Sequence, residues 1–121
     1  MYKDKKIVVF GVSTNEAKYG YKIFAALRRL GLEVYGINPK GGMVDGQPLF
    51  ATLADVPVQA DVAILVIPPK ALVGAVEQCA AGKVTEIWFQ PGARSEESYR
   101  LAKMCGMLAF DGCFMTDNGF W

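Results

Sequence analysis

The sequence of 121 residues contains no histidine. Histidine is the commonest general base and the commonest nitrogen ligand of protein-bound metals, and it activates the serine or cysteine nucleophile of many hydrolases. Its absence excludes Ser-His and Cys-His catalysis and removes the usual ligand of a metal centre. We therefore expect this chain to carry no catalytic residue and no metal site.

Cysteine is also scarce, with only Cys79, Cys105 and Cys113 present. The number is odd and no C-x-x-C spacing occurs, so neither a disulfide framework nor a zinc site is expected. This usage is typical of a reduced, cytoplasmic protein. Cys79 and Cys105 fall in helical patterns and are interpreted as core residues, which leaves Cys113 as the one candidate nucleophile. Without histidine to activate it, a buried or half-buried structural thiol is the favoured interpretation of Cys113.

Long hydrophobic runs and an excess of charge are missing as well. The formal net charge is +1, and no apolar stretch approaches the roughly 18 residues that a membrane span requires. So little net charge disfavours nucleic-acid binding, which needs clustered lysines and arginines. No signal-peptide pattern precedes the first apolar run, so we predict a cytoplasmic protein without membrane or nucleic-acid partners. The length predicts a single domain over residues 1–121.

The chain does contain an alternation of short apolar runs and amphipathic helical patterns. Such alternation predicts the α/β class, with a Rossmann-like, doubly wound domain. The five predicted strands lie at about Lys6–Phe10, Glu33–Ile37, Val62–Ile67, Val84–Phe89 and Met107–Phe110. The three predicted helices cover about Tyr19–Leu30, Lys70–Ala81 and Ser95–Cys105.

Right-handed crossovers would arrange these five parallel strands most simply in the order 3-2-1-4-5, with helices on both faces. The glycine-rich stretch Lys40–Gln47 is predicted to be a loop. The aromatic tail at about 111–121 is predicted to pack on the body of the domain or on a partner. In this topology ligands bind at the carboxyl ends of the strands, beside the switch between the first and fourth strands.

The first of these strand ends carries the stretch GVSTNEAKYGYKIF, which begins at Gly11. A dinucleotide-binding turn reads G-x-G-x-x-G, but Ser13 and Glu16 stand at the second and third glycine positions. Gly11 still permits a tight turn, and Ser13 supplies a hydroxyl donor. Lys18 and Tyr19 stand at the predicted helix N-terminus, where a lysine opposes the helix dipole unless an anion binds beside it. The pattern favours a phosphate site, with a solvated lysine as the alternative.

The second strand ends in Asn38-Pro39-Lys40. A bound NAD needs an acidic residue here to accept its ribose hydroxyls, and the nearest acid, Glu33, lies at the other end of the strand. A lysine attracts a phosphorylated ribose instead. The sequence therefore disfavours NAD and favours an adenosine with an additional phosphate, as in coenzyme A or NADP. A loop lysine placed there by chance is the alternative.

The fourth strand ends in Gln90-Pro91-Gly92. This segment offers a side-chain amide and a close backbone approach to the same ligand. A glycine in such a loop often serves only the turn, so Gly92 carries little weight by itself.

With these residues the chain resembles the small coenzyme-A-binding domain family, the stand-alone relatives of the N-terminal domain of the succinyl-CoA synthetase alpha subunit. The resemblance covers about Lys5 to Asp117 and depends on the order and spacing of short segments. The segments are VVFGVS, KYGYKI, GLEVYGINPK, GQPLFATLADVP, DVAILVIPP, EIWFQPGARSEE and DGC.

The resemblance implies a Rossmann-like domain that binds coenzyme A through three groups of residues. The residues implied for the pyrophosphate are Gly11, Val12, Ser13, Lys18 and Tyr19. Those implied for the adenosine and its phosphate are Asn38, Pro39 and Lys40, and those for the rest of the ligand are Ile67, Pro68, Gln90, Pro91 and Gly92.

Two positions depart from the family pattern. Relatives tend to carry a basic residue just before the tail cysteine and a glutamate shortly after it, where this chain has Gly112 and Asp117. The chain also lacks the phosphohistidine of the larger synthetases. We therefore do not expect a complete ligase.

The leading hypothesis is a non-catalytic protein that binds coenzyme A or an acyl-CoA. One alternative is an enzyme, either an NADP-type oxidoreductase or an accessory subunit of a CoA ligase. Another is an interaction module with an unused nucleotide site, suggested by the aromatic tail Phe114–Trp121; a homodimer or a partner subunit would fit the same tail. A variant of the leading hypothesis joins Cys113 to coenzyme A in a mixed disulfide.

Overall fold

The computed structural model describes residues 2–121, which form a seven-stranded sheet with helices on both faces. The strands are β1 (Lys6–Phe10), β2 (Glu33–Ile37), β3 (Met43–Val44), β4 (Gln47–Phe50), β5 (Val62–Leu65), β6 (Glu86–Phe89) and β7 (Leu108–Asp111). The helices are α1 (Tyr19–Arg29), α2 (Leu72–Ala81), α3 (Glu96–Met104) and α4 (Phe114–Asp117). Short 3₁₀ turns at Leu53–Asp55 and Pro69–Ala71 precede β5 and α2.

The strands lie in the order β3-β4-β2-β1-β5-β6-β7, and every neighbouring pair is parallel except β3–β4. This confirms the predicted α/β class with a mainly parallel sheet. The predicted count of five strands is wrong, because the predicted loop Lys40–Gln47 contains β3 and the first residue of β4. β3 has only two residues, and in β4 Pro48 interrupts the apolar pattern by which a strand is found in a sequence.

The predicted order 3-2-1-4-5 is also wrong. The third predicted strand corresponds to β5, which pairs with β1, while β4 occupies the place beyond β2. The switch in strand order therefore lies between β1 and β5, and not between the first and fourth predicted strands. The carboxyl ends of β1, β2 and β5 meet at one edge because these strands are parallel.

The sequence explains which face of α1 is buried and where the helix ends. Ile23, Phe24 and Leu27 recur at helical spacing, and all three are fully buried. Gly31 follows the last turn with a φ of +81°, the left-handed conformation in which many helices end. α1 therefore covers one face of β1 and β2.

Two apolar cores lie on opposite faces of the sheet. One contains Phe24 of α1 and Phe114 of α4, together with Trp88 of the sheet. The other contains Leu72 of α2 and Phe89 of β6. All four residues of β5 are buried, as expected for a central strand that is covered on both faces.

The carboxyl-terminal tail packs on the body of the protein. Phe114 and Met115 of α4 are fully buried, and the Phe114 ring centroid lies 4.9 Å from that of Tyr2. The ring of Trp121 meets the ring of Tyr19 edge-on, with centroids 5.7 Å apart. The last residues of the chain therefore reach the beginning of α1.

No helix among residues 2–121 is both long enough and apolar enough to cross a lipid bilayer. In the same part of the chain, no group of three or more histidine, cysteine, aspartate or glutamate side chains is placed to hold a metal ion. The single domain over residues 1–121 stays a prediction, and its first residue lies outside the described range.

Candidate functional site

The loops that follow β1 and β2 are joined by hydrogen bonds. The amides of Gly11 and Val12 both donate to the carbonyl oxygen of Ile37, over 2.9 and 3.2 Å. Asn38 Nδ2 donates to the carbonyl oxygen of Val12 over 2.9 Å. The first two predicted ligand loops are therefore held in one arrangement, and Asn38 is the side chain that links them.

The turn after Asn38 presents Lys40 to solvent. Asn38 Oδ1 accepts a hydrogen bond from the Lys40 amide over 2.9 Å, and the Gly41 amide donates to the Asn38 carbonyl over 2.8 Å. Pro39 and Lys40 are both exposed. No ion pair within residues 2–121 involves Lys40. Its charge therefore remains free to attract an external anion.

Two glycines allow close approaches of the backbone around the loop after β1. Gly11 has a φ of +98°, and a Cβ atom there would lie 2.0 Å from the carbonyl oxygen of Val66. A Cβ atom at Gly20, the second residue of α1, would lie 2.1 Å from the carbonyl oxygen of Gly11. Gly20 thus allows the close helix–strand contact that the third glycine of a dinucleotide fingerprint provides. Sequence reasoning missed this role, although a glycine at the start of an amphipathic helix is a visible signal.

The loop between Ser13 and Lys18 is stabilised by its own hydrogen bonds. Ser13 Oγ accepts from the Asn15 amide and Asn15 Oδ1 accepts from the Ala17 amide, both over 2.9 Å. Lys18 precedes α1 in an extended conformation without a side-chain cap, and the first turn contains no acidic residue. The amides at the start of α1 and the Lys18 ammonium therefore concentrate positive charge at an exposed surface.

Two neighbouring cavities lie among these loops. A cleft of about 440 Å³ opens between the start of α1 and the segments after β5 and β6. The predicted site residues that line it are Tyr19, Ile67, Gln90 and Gly92, together with Pro91. A second cavity of about 130 Å³ is lined in part by Gly11, Pro39 and Ile67. Because Ile67 lines both, the two cavities share a wall.

The other predicted site residues line neither cavity. Val12 is fully buried, so only its backbone is available to the site. Pro68 is exposed just before α2. The remaining four, which lie in the loops described above, are Ser13, Lys18, Asn38 and Lys40.

Cys113 contacts Tyr19, which lines the cleft, and its neighbour Phe114 is bound to Gln90, which also lines it. The Tyr19 hydroxyl lies 3.3 Å from Cys113 Sγ, and the Thr116 amide donates to Sγ over 3.4 Å. Gln90 Oε1 accepts a hydrogen bond from the amide of Phe114, the residue after the cysteine, over 2.7 Å. The thiol therefore lies next to the candidate site, in contact with Tyr19 of its wall.

These contacts change the acidity of the thiol. Burial raises the pKa of Cys113, but hydrogen bonds from Thr116 and Tyr19 outweigh burial and lower the pKa to about 7. The contact with Cys113 raises the pKa of Tyr19 to about 12, so the phenol keeps its proton and donates a hydrogen bond to the sulfur. Sequence reasoning missed this cluster because Tyr19 and Cys113 are 94 positions apart, and no local pattern reports such a contact.

A larger cavity, of about 560 Å³, lies away from these residues. It borders the turn Leu53–Asp55, Ala60 before β5 and Gly82 after α2. It is at the amino end of β5, whereas ligands of such sheets bind at the carboxyl ends. None of the predicted site residues lines it. The candidate site is therefore the cleft beside Tyr19 and Gln90.

Comparison with known sequences identifies a matching family and a much longer protein that is similar to part of this chain. The sequence model of a family described as a CoA binding domain matches residues 5–119. An ADP-forming acetate–CoA ligase I of Archaeoglobus fulgidus is 35% identical over 79 residues, which is 65% of this chain and 12% of the ligase. The chain thus spans a small fraction of the length of this curated relative.

Comparison with solved structures gives the same fold. A conserved hypothetical protein from Pyrococcus furiosus has a TM-score of 0.86 at 33% identity, over 93% of this chain and 98% of that one. The apo form of a dinucleotide-forming acetyl-coenzyme A synthetase 1 from Ca. Korarchaeum cryptofilum has a TM-score of 0.78 at 26% identity, over 89% of this chain and 26% of that one. These likenesses support a Rossmann-like α/β fold.

Proposed function

The chain belongs to the CoA binding domain family, and on that premise we propose that it is a non-catalytic protein that binds coenzyme A or an acyl-CoA. The observation that carries the proposal is a pair of exposed lysines, Lys18 and Lys40, on two loops that Asn38 holds together. Neither lysine forms an ion pair within residues 2–121. Coenzyme A carries a pyrophosphate and a separate ribose phosphate, so it needs two cationic sites at a fixed separation.

The start of α1 suits the pyrophosphate. Its amides lack a side-chain cap and Lys18 adds a full positive charge beside them. The Ser13 oxygen accepts a hydrogen bond within the loop, which leaves the hydroxyl proton free to donate to a phosphate oxygen. Gly11 and the buried Val12 contribute through their backbone, which fixes the loop against β2.

The end of β2 suits the adenosine and its phosphate. Lys40 supplies the charge, and Asn38 holds the turn that presents it. Pro39 lines the small cavity next to Gly11 and offers an apolar surface for the adenine or ribose. NADP carries a comparable ribose phosphate and is the competing ligand for this end of the site.

The 440 Å³ cleft suits the pantetheine arm. Its walls combine the Tyr19 ring, Ile67 and the backbone of Gly92 with the amide of Gln90. Such a lining of apolar groups with one or two polar groups fits a flexible arm that carries amide bonds. Pro68, exposed beside Ile67, would form the outer rim.

A second candidate function is that of an accessory subunit of a CoA ligase. The sequences and structures compared above include ligases of which this chain matches only a part. Met104 and Leu108 are exposed apolar side chains on α3 and the edge strand β7, a surface that a further subunit could cover. Co-purification with a chain that supplies ligase activity would favour this candidate, whereas a protein that binds coenzyme A alone favours the first.

The proposed function is tested by calorimetric titration with coenzyme A, dephospho-coenzyme A and NADP. Lys40→Ala is expected to weaken the binding of coenzyme A about tenfold, or about 1.4 kcal/mol. The affinity for dephospho-coenzyme A should stay nearly unchanged. Lys5→Ala removes an exposed charge at the amino end of β1 and is the matched control. The proposal would be contradicted if coenzyme A did not bind, or if NADP bound more tightly than coenzyme A. It would also be contradicted if Lys40→Ala lost the same affinity for coenzyme A and for dephospho-coenzyme A.

A further inference from the structure

The thiol of Cys113 lies where the proposed ligand would end. Tyr19 and Gln90 line the cleft assigned to the pantetheine arm. Tyr19 contacts the cysteine and Gln90 binds the amide of the next residue, Phe114. The arm of coenzyme A itself ends in a thiol. If the arm enters the cleft, two sulfur atoms come together at one wall of the protein.

Gln90 provides a second and independent indication of a ligand at this wall. Its side chain is only 1% exposed, and its Nε2 has no hydrogen-bond partner among residues 2–121. The opposite end of the same amide is fixed, because Oε1 accepts from the Phe114 amide. A buried donor that is held in place without a partner is unusual. Because Gln90 lines the cleft, an acceptor atom of a ligand in the cleft would satisfy it.

We propose that Cys113 captures coenzyme A covalently by thiol–disulfide exchange with a disulfide of coenzyme A. This inference rests on the proposed function, since the nucleotide part of the ligand must first bind. The Cys113 thiolate attacks one sulfur of the bound disulfide. A new bond forms between Cys113 Sγ and the bound coenzyme A, the original S–S bond breaks, and the second half leaves as a thiolate that takes up a proton. The disulfide supplies both oxidising equivalents, and a free thiol reverses the step.

Cys113 differs from the other two cysteines in the way this reaction requires. Burial raises the pKa of Cys79 to about 12 and shields its sulfur, so it cannot react. Cys105 is exposed at the end of α3, outside the cleft. Cys113 is half-buried, receives a hydrogen bond from Thr116 and has a pKa of about 7, close to the optimum for an attacking thiol at neutral pH.

The exchange needs no histidine. Tyr19 donates to the sulfur and stabilises its thiolate form, and the leaving thiolate of coenzyme A accepts a proton from water. Selectivity comes from the nucleotide part of the ligand, through the charges of Lys18 and Lys40. A disulfide without that nucleotide part would reach Cys113 only by random collision.

The experiment treats the reduced protein with coenzyme A disulfide and, in parallel, with glutathione disulfide. Intact-mass and peptide mass spectrometry should show one coenzyme A adduct, on Cys113, that dithiothreitol removes. We expect the adduct to form at least tenfold faster than the glutathione adduct, and Lys40→Ala to abolish this preference. Cys105→Ser is the matched control and keeps the adduct, whereas Cys113→Ser loses it.

Calorimetry with reduced coenzyme A separates this inference from the proposed function. The unmodified protein is titrated with reduced coenzyme A, which can bind but cannot take part in the exchange. Serine also caps short helices, so Cys113→Ser should fold. If reduced coenzyme A binds but Cys113 forms no adduct, or Cys105 reacts equally fast, the covalent capture is wrong and the binding function stands. If reduced coenzyme A does not bind, the proposed function is wrong, and the inference falls with it.

Discussion

Asn38 Nδ2 donates to the carbonyl oxygen of Val12 over 2.9 Å and so joins the loop after β2 to the loop after β1. The same side chain accepts a hydrogen bond from the amide of Lys40 through Oδ1. The loop after β1 leads to the second exposed lysine, Lys18. One asparagine thus sets the separation of two cationic groups, and a ligand with two phosphate-bearing ends would depend on that separation.

Replacement of Asn38 by alanine tests this dependence. The part-buried carbonyl of Val12 loses its donor, so we expect the free energy of unfolding to fall by about 1–3 kcal/mol in urea denaturation. Coenzyme A affinity should fall as well, because the two lysines are no longer held at one distance. Asn15→Ala removes a comparable hydrogen bond in the exposed loop and is the control. Equal effects of the two variants on affinity would show that the link does not position the ligand.

Gly20→Ala should be strongly destabilising. The added methyl group would lie 2.1 Å from a backbone carbonyl oxygen, which cannot rotate away as a side chain can. We expect a loss of about 2–3 kcal/mol in the free energy of unfolding. Gly74→Ala in α2 is the matched control, since its added Cβ meets no atom within 4 Å. That variant should gain about 0.5–1 kcal/mol from helix propensity, and a similar loss in both variants would refute the packing role of Gly20.

The acidity of Cys113 can be measured by its rate of alkylation with iodoacetamide. The rate should rise with pH through a midpoint of about 7, because hydrogen bonds lower the pKa of this thiol from 9.0. Tyr19→Phe removes one of the donors, so its midpoint should move to higher pH. The experiment uses the Cys105→Ser background, so that only one accessible thiol reacts. An unchanged midpoint in Tyr19→Phe would mean that the phenol does not stabilise the thiolate.

The same thiol should make stability depend on pH. Between pH 7 and 9 the unfolded chain keeps the Cys113 proton while the folded protein has released it. The unfolded state then binds more protons, so the free energy of unfolding rises with pH across this window. The contribution is complete above the unfolded pKa and is lost as the pH falls through about 7. Cys113→Ser should flatten the profile between these values, and a slope identical to that of the unmodified protein would contradict the assignment.

Gln90→Glu tests the amide nitrogen of Gln90, which has no hydrogen-bond partner among residues 2–121. The variant retains an oxygen that can accept from the Phe114 amide, but it replaces Nε2 with a second oxygen. A negative charge there disfavours the thiolate, so the pKa of Cys113 should rise and alkylation at pH 7 should slow. Gln59→Glu adds the same charge near the amino end of β5 and should leave the rate unchanged. Faster alkylation of Gln90→Glu would exclude the proposed role of the amide.

The strands that could be predicted from the sequence are those that the fold buries. β1 and β5 read as unbroken apolar runs because both of their faces are covered. β3 and β4 could not be predicted, since β3 has two residues and β4 contains Pro48. Missing one outer parallel strand was enough to give the wrong order, because β4 fills the position beside β2 that the prediction assigned to the strand now labelled β5.

In the candidate site, too, some features could be predicted from the sequence and others could not. Parallel strands bring their carboxyl ends to one edge, so topology predicts that Gly11, Asn38 and Gln90 lie in neighbouring loops. Residues far apart in the sequence gave no signal for the contact of Tyr19 with Cys113, because it depends on how the tail folds back. The buried amide of Gln90 was predicted as a ligand contact without its second role as an anchor for α4.

The edge-on contact of Trp121 with Tyr19 gives the protein an optical reporter. The chain has two tryptophans, and Trp88 is buried and stacked on Phe110, whereas Trp121 is 54% exposed. An aqueous quencher such as iodide should therefore reach Trp121 and spare Trp88. Since Tyr19 lines the cleft, filling the cleft would alter the surroundings of Trp121, and its emission would follow occupancy in solution without any added label.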